Sequence, residues 1–108
     1  MATAAPAESM TIAAELQARI DQLARDSRML SVGELCRRVD AVRNIAAARR
    51  LLPLARLAGS LRDALAEGGR GTPMTPWIEA MRESLGHDAQ DEATARAFVA
   101  SVGVRLAG

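Results

Sequence analysis

The chain has 108 residues, of which 49% are hydrophobic and only 2% aromatic, and its formal net charge is +1. This length favours one domain, and the hydrophobic content excludes a disordered chain. All 14 basic residues are arginines, which indicates a bacterial-like compositional bias and excludes lysine-dependent chemistry.

The first predicted helix follows a short leader. Residues 1–9 are expected to be a flexible leader, and residues 10–108 a single helical domain. The helix is expected from about Thr11 to Met29, because apolar residues recur along it at helical spacing. These residues are Ile12, Leu16, Ile20, Leu23 and Leu30.

The central segment reads as one long helix with an interruption. Ser31 and Glu34 have the spacing of a capping box, so the helix is expected to begin near Val32. The apolar positions are Leu35, Val39, Val42 and Ala46, and then Leu54, Ala58, Leu61 and Leu65. The second set is rotated relative to the first, and Pro53 lies between them. We therefore expect a long central helix that is kinked or broken around Arg49–Pro53.

Two shorter helices complete the predicted fold. A flexible interhelical loop is expected at residues 68–73, where glycines cluster. A helix then runs from about Thr75 to Gly86, and another begins near Asp88. Their expected buried positions are Met74, Trp77, Ile78, Met81 and Leu85, then Ala95, Phe98, Val99, Val102 and Leu106. The fold class is thus all-α, a small bundle of four to five helices.

No residue pattern indicates a catalytic, cofactor or metal site. His87 and Asp88 are adjacent, with Ser84 nearby, but the arrangement lacks the elbow and oxyanion donor of a triad, so an exposed turn and a helix cap are the favoured interpretation. Cys36 near a helix start could be reactive, although a small core residue is the more frequent role. We therefore expect no enzyme activity, no cofactor and no metal.

The central segment also suggests a surface for a partner. Between Ser31 and Glu67 there are seven arginines and four acidic residues, a net charge of +3. The candidate partner-binding residues are Arg38, Arg43, Arg49, Arg50, Leu52, Leu57, Trp77 and Met81. The alternative interpretations are arginines that lie over the core and pair with acids, and Trp77 and Met81 as core residues.

The sequence favours an interaction module over other functions. We expect a non-enzymatic protein–protein interaction module or adaptor, self-associating as a homodimer or bound to another protein, because the apolar residues around Pro53 exceed what a thin bundle covers. The alternative is a small nucleic-acid-binding regulator that uses the central Arg-rich helix. The absence of a signal-peptide pattern, of a membrane-spanning segment and of cysteine pairs predicts a cytoplasmic protein.

Overall fold

Residues 4–108 fold into five α-helices, within the four to five that the sequence predicted. The computed structural model describes residues 4–108, and the side chains of residues 11–108. The described residues contain no β-strand, and their helices are α1 (Ala4–Asp26), α2 (Val32–Ala48), α3 (Leu52–Gly68), α4 (Thr75–Leu85) and α5 (Glu92–Ala107), with a 3-10 turn at Gly69–Gly71. Helix α1 begins inside the segment predicted as a leader, whose flexibility stays a prediction.

The structure does not confirm one long central helix, because α2 and α3 are separate helices that pack along each other. Arg50 has a φ of 58°, in the left-handed region. Its amide donates to the carbonyl of Ala47, and the amide of Leu51 donates to that of Ala46. These two bonds form a Schellman motif, which ends a helix and turns the chain. Pro53 then occupies the first turn of α3, where its missing N–H costs no hydrogen bond.

Helix α3 lies at the centre of the bundle, with α2, α4 and α5 packed around it, and α1 contacts α2 and α4. An ion pair between Arg62 and Asp40 joins α3 to α2. Another, between Arg56 and Glu92, joins the first turns of α3 and α5. Ser60, one turn after Arg56, in turn lies beside Val99 and Ala100 of α5, so α3 and α5 run in the same direction, side by side.

Most of the predicted apolar positions form the core, but Leu106, which was predicted to be buried, is 42% exposed. Of the predicted positions, three on α1, four on α2 and four on α3 are fully or almost fully buried, and others are buried on α4 and α5. The buried predicted positions are Leu16, Ile20, Leu23, Leu35, Val39, Val42, Ala46, Leu54, Ala58, Leu61, Leu65, Trp77, Ile78, Met81, Ala95 and Val102. Ile12, Leu30, Phe98 and Val99 are only half-buried at its edge. The core is thus built almost wholly from aliphatic side chains.

The start of α5 differs from the prediction by one helical turn. The N-cap is Asp91, whose carboxylate accepts a hydrogen bond from the Thr94 amide at 2.8 Å, rather than Asp88. This bond is the main cause that lowers the pKa of Asp91. Residues 87–90 instead form an irregular turn, in which the Gln90 side-chain amide donates to the carbonyls of Ser84 and His87.

Candidate functional site

Three of the predicted partner-binding residues belong to the core. Leu57 and Met81 have no exposed surface, and Trp77 is only 6% exposed. Leu52 is half-buried at the first turn of α3. The structure therefore does not bring these four residues together on one accessible surface.

The four predicted arginines divide into paired and unpaired residues. Arg38 forms ion pairs with Asp26 at 3.2 Å and Glu34 at 3.4 Å. Arg43 lies 3.7 Å from Asp40. Arg49 and Arg50 are exposed at the turn between α2 and α3, and neither forms an ion pair with any described residue. Only these two arginines of the set remain available to an anionic partner.

The residues considered for catalysis lie apart from one another or have structural partners. Cys36 is half-buried at the edge of the core. The His87 ring contacts Phe98 edge-on, and its Nδ1 lies 3.2 Å from the Ala89 amide, which donates to it. The Ser84 hydroxyl is buried and donates to the Met81 carbonyl. Within residues 11–108, no three His, Cys, Asp or Glu side chains are grouped as metal ligands would be.

The most unusual surface of the molecule is the outer face of α5. Ala95 and Val102 point into the core and are fully buried. On the opposite side of the helix lie Ala93, Ala97, Ala100 and Val104, which are all exposed. At 100° per residue these four positions fall within about 60° of one another. We call them the α5 face.

The α5 face is apolar where a surface helix is normally polar. The exposed side of α1 carries Glu15, Arg19 and Gln22, whereas α5 has only three charged residues in its full length, namely Glu92, Arg96 and Arg105. Val104 is 72% exposed, and Leu106 on the last turn is 42% exposed. A helix that is apolar on both sides is typical of one that is covered on both sides.

A groove beside the α5 face extends it towards α3. Its walls are formed by Ser60 on α3 and by Ala95, Val99 and Ala100 on α5, with Arg56 and Arg96 at one end. Most of its lining is carbon, so the apolar surface continues from α5 into the groove.

Charges on this side of the molecule are separated along the helices. Arg96 is exposed and has no ion-pair partner among the described residues, and Arg56 beside it pairs with Glu92. Asp63 and Glu67 lie one and two turns beyond Ser60 on α3, both exposed and without an ion pair to any side chain of residues 11–108. An unpaired positive charge thus lies at Arg96 in the first half of α5, and unpaired negative charges lie at Asp63 and Glu67 towards the end of α3.

Several charges on the opposite side of the molecule are paired within the chain. Arg82 of α4 donates to Asp21 of α1 at 2.9 Å, and this bond is the main cause that lowers the pKa of Asp21. Arg37 and Arg38 donate to Glu34 and lower its pKa in the same way. These acids and arginines stabilise one another within the chain.

The α5 face was missed from the sequence, although a signal for it was present. The periodicity of α5 identified the residues that turn towards the core. Ala93, Ala97, Ala100 and Val104 form a second line on the other side of the helix. Their spacing of i, i+4, i+7 and i+11 repeats every seven residues.

Comparisons with known proteins give no relative for this chain. No protein-family model, no curated protein and no solved structure matches it. No helix among the described residues is long and apolar enough to cross a membrane.

Proposed function

We propose that this protein is a non-enzymatic, self-associating interaction module that docks through the α5 face. The observation that supports the proposal is the exposure of Ala93, Ala97, Ala100 and Val104 along one line of α5. Contiguous exposed apolar surface is typical of protein–protein interfaces, because burying it against a partner removes it from water.

Small side chains on this line favour a helix as the docking element. Alanine at three of four positions allows a second helix to approach closely, and the seven-residue repeat provides the positions at which two helices interdigitate. A single helix face is a modest area, so we expect a reversible association strengthened by the neighbouring groove.

The proposal predicts that a charge on the α5 face abolishes association. Replacing Ala97 with Glu places a carboxylate where the partner helix would bury it, and burial of an unpaired charge is strongly unfavourable. We expect Ala97→Glu to weaken self-association by about a hundredfold or more, measured as the dimer dissociation constant by sedimentation equilibrium.

The matched control makes the same substitution at an exposed alanine on the other side of the molecule. Ala18 lies on α1 in the shallow groove with α2. Ala18→Glu is expected to leave the dissociation constant unchanged. A wild-type chain that stays at 11.4 kDa at high concentration, or equal weakening by both variants, would contradict the proposal.

Nucleic-acid binding is a second candidate with narrower support. The exposed and unpaired Arg49 and Arg50 favour it, whereas Arg38 and Arg43 already have acidic partners. If these two arginines contact phosphates, binding to a duplex should weaken with salt, and replacing either by Ala should reduce the log–log salt slope by about one.

A further inference from the structure

We propose that the occupant of the α5 face is a second copy of this chain, packed antiparallel, with Arg96 of each copy paired with Asp63 and Glu67 of the other. This inference rests on the proposed function and adds to it the orientation of the two copies and the charges that select it. Its basis is the distribution of unpaired charge beside the α5 face.

The positions of these charges follow from the parallel arrangement of α3 and α5. The ion pair of Arg56 with Glu92 brings the first turns of the two helices to the same level. The groove places Ser60 level with Val99 and Ala100. Asp63 and Glu67 come after Ser60 on α3, so they lie level with the second half of α5, whereas Arg96 lies level with its first half.

An antiparallel pair brings opposite charges together on both sides of a two-fold axis. The axis reverses the direction of α5 but keeps its α3-facing side on the same side of the interface. Arg96 of one copy therefore approaches the second half of the partner's α5 and the acidic end of the partner's α3. Each dimer contains this contact twice, as an isologous interface requires.

A parallel pair has the opposite consequence. Its two-fold axis runs along α5 and places the α3 helices of the two copies on opposite sides of the interface, so Arg96 of one copy does not reach Asp63 and Glu67 of the other. The dipoles of two antiparallel helices also attract, whereas those of two parallel helices repel. The charge pattern therefore favours the antiparallel dimer.

Gly103 provides space for the arginine in this arrangement. It lies on the α3-facing side of α5, and a Cβ built on it would meet no atom within 4 Å. In the antiparallel pair Arg96 crosses the partner's α5 near this position. The long side chain then reaches the acidic residues of α3 without a side chain in its path.

Charge reversal on either side tests the pairing. One variant carries Arg96→Glu, and the other carries Asp63→Arg together with Glu67→Arg. Each variant alone should dimerise about tenfold or more weakly than the wild type, because like charges then face each other across the interface. An equimolar mixture of the two should form a heterodimer close to wild-type strength, since both contacts are again between opposite charges.

The measurement is sedimentation equilibrium of each variant and of the mixture, with circular dichroism to verify the helical fold. A wild-type dimer that Ala97→Glu disrupts, but that neither charge variant affects, would overturn this inference and leave the proposed function standing. An equimolar mixture that associates no more strongly than either charge variant alone would show that the two charged sites do not meet, and would also overturn it. A wild-type chain that is monomeric throughout would overturn both.

Discussion

Replacing Leu61 with Ala is expected to lower the free energy of unfolding by about 2–5 kcal/mol. Leu61 has no exposed surface and lies in the middle of α3, the helix around which α2, α4 and α5 pack. The substitution removes buried methyl groups and leaves a cavity that three surrounding helices cannot all close. Since small domains have a total stability of about 5–15 kcal/mol, this loss is a large fraction of it.

The measurement is urea unfolding followed by circular dichroism at one fixed protein concentration, because association would itself add to stability. Leu106→Ala is the matched control, since Leu106 is 42% exposed on the last turn of α5. We expect it to change the free energy of unfolding by less than about 1 kcal/mol. Equal losses in the two variants would show that α3 is not the centre of the core.

Replacing Trp77 with Ala is expected to cost about 3–5 kcal/mol of unfolding free energy. Trp77 is the only tryptophan in the chain and is 6% exposed on α4, where it is part of the main hydrophobic cluster. The large cavity left by an indole is the main reason for the expected loss. The measurement is again urea unfolding by circular dichroism, which does not depend on the fluorescence of the residue removed.

A Trp77→Phe variant distinguishes the contribution of the aromatic ring to stability from that of the indole N–H. The indole Nε1 is buried and has no hydrogen-bond partner within the described part of the chain. Phe keeps an aromatic ring and has no N–H to leave unpaired. The free energy of unfolding should therefore fall by less than half as much in Trp77→Phe as in Trp77→Ala. If Trp77→Ala kept its stability but weakened association, Trp77 would be an interface residue, as the sequence first suggested, and its place in the core would be contradicted.

The helices and most of the core follow from the sequence because both depend on local pattern. Residues such as Leu16, Leu35 and Leu61 recur at a helical period, and that period determines which side of each helix is buried. Ser31 likewise caps α2 as expected, since its hydroxyl accepts from the Glu34 amide. These features need no knowledge of how the helices are arranged.

The turn between α2 and α3 was harder to predict because no glycine marks the left-handed residue that ends α2. Left-handed C-terminal caps normally use glycine, whereas here Arg50 adopts that conformation. Pro53 indicated an interruption nearby but not the reversal of direction. With the reversal, Leu57 becomes central to the core, and the apolar excess that suggested an exposed central helix is largely buried.

The candidate surface depends on tertiary structure and so was not predicted. Whether Arg38, Arg43 and Arg96 have acidic partners is decided by which helices lie beside them. Arg38 pairs with Asp26 of α1, twelve residues away, while Arg96 has no acidic partner among residues 11–108. The sequence gives a charge count for a segment, and only the fold separates the paired arginines from the unpaired ones.

Cross-linking at the α5 face is the most direct measurement of self-association through α5. In a Cys36→Ser background, a single cysteine replaces Ala97 on the α5 face, or Ala18 on α1 as the control. We expect a short bis-maleimide to convert the Ala97→Cys chain rapidly into a species of twice 11.4 kDa, and to leave the Ala18→Cys chain monomeric. Equally slow cross-linking of both variants would contradict self-association through α5.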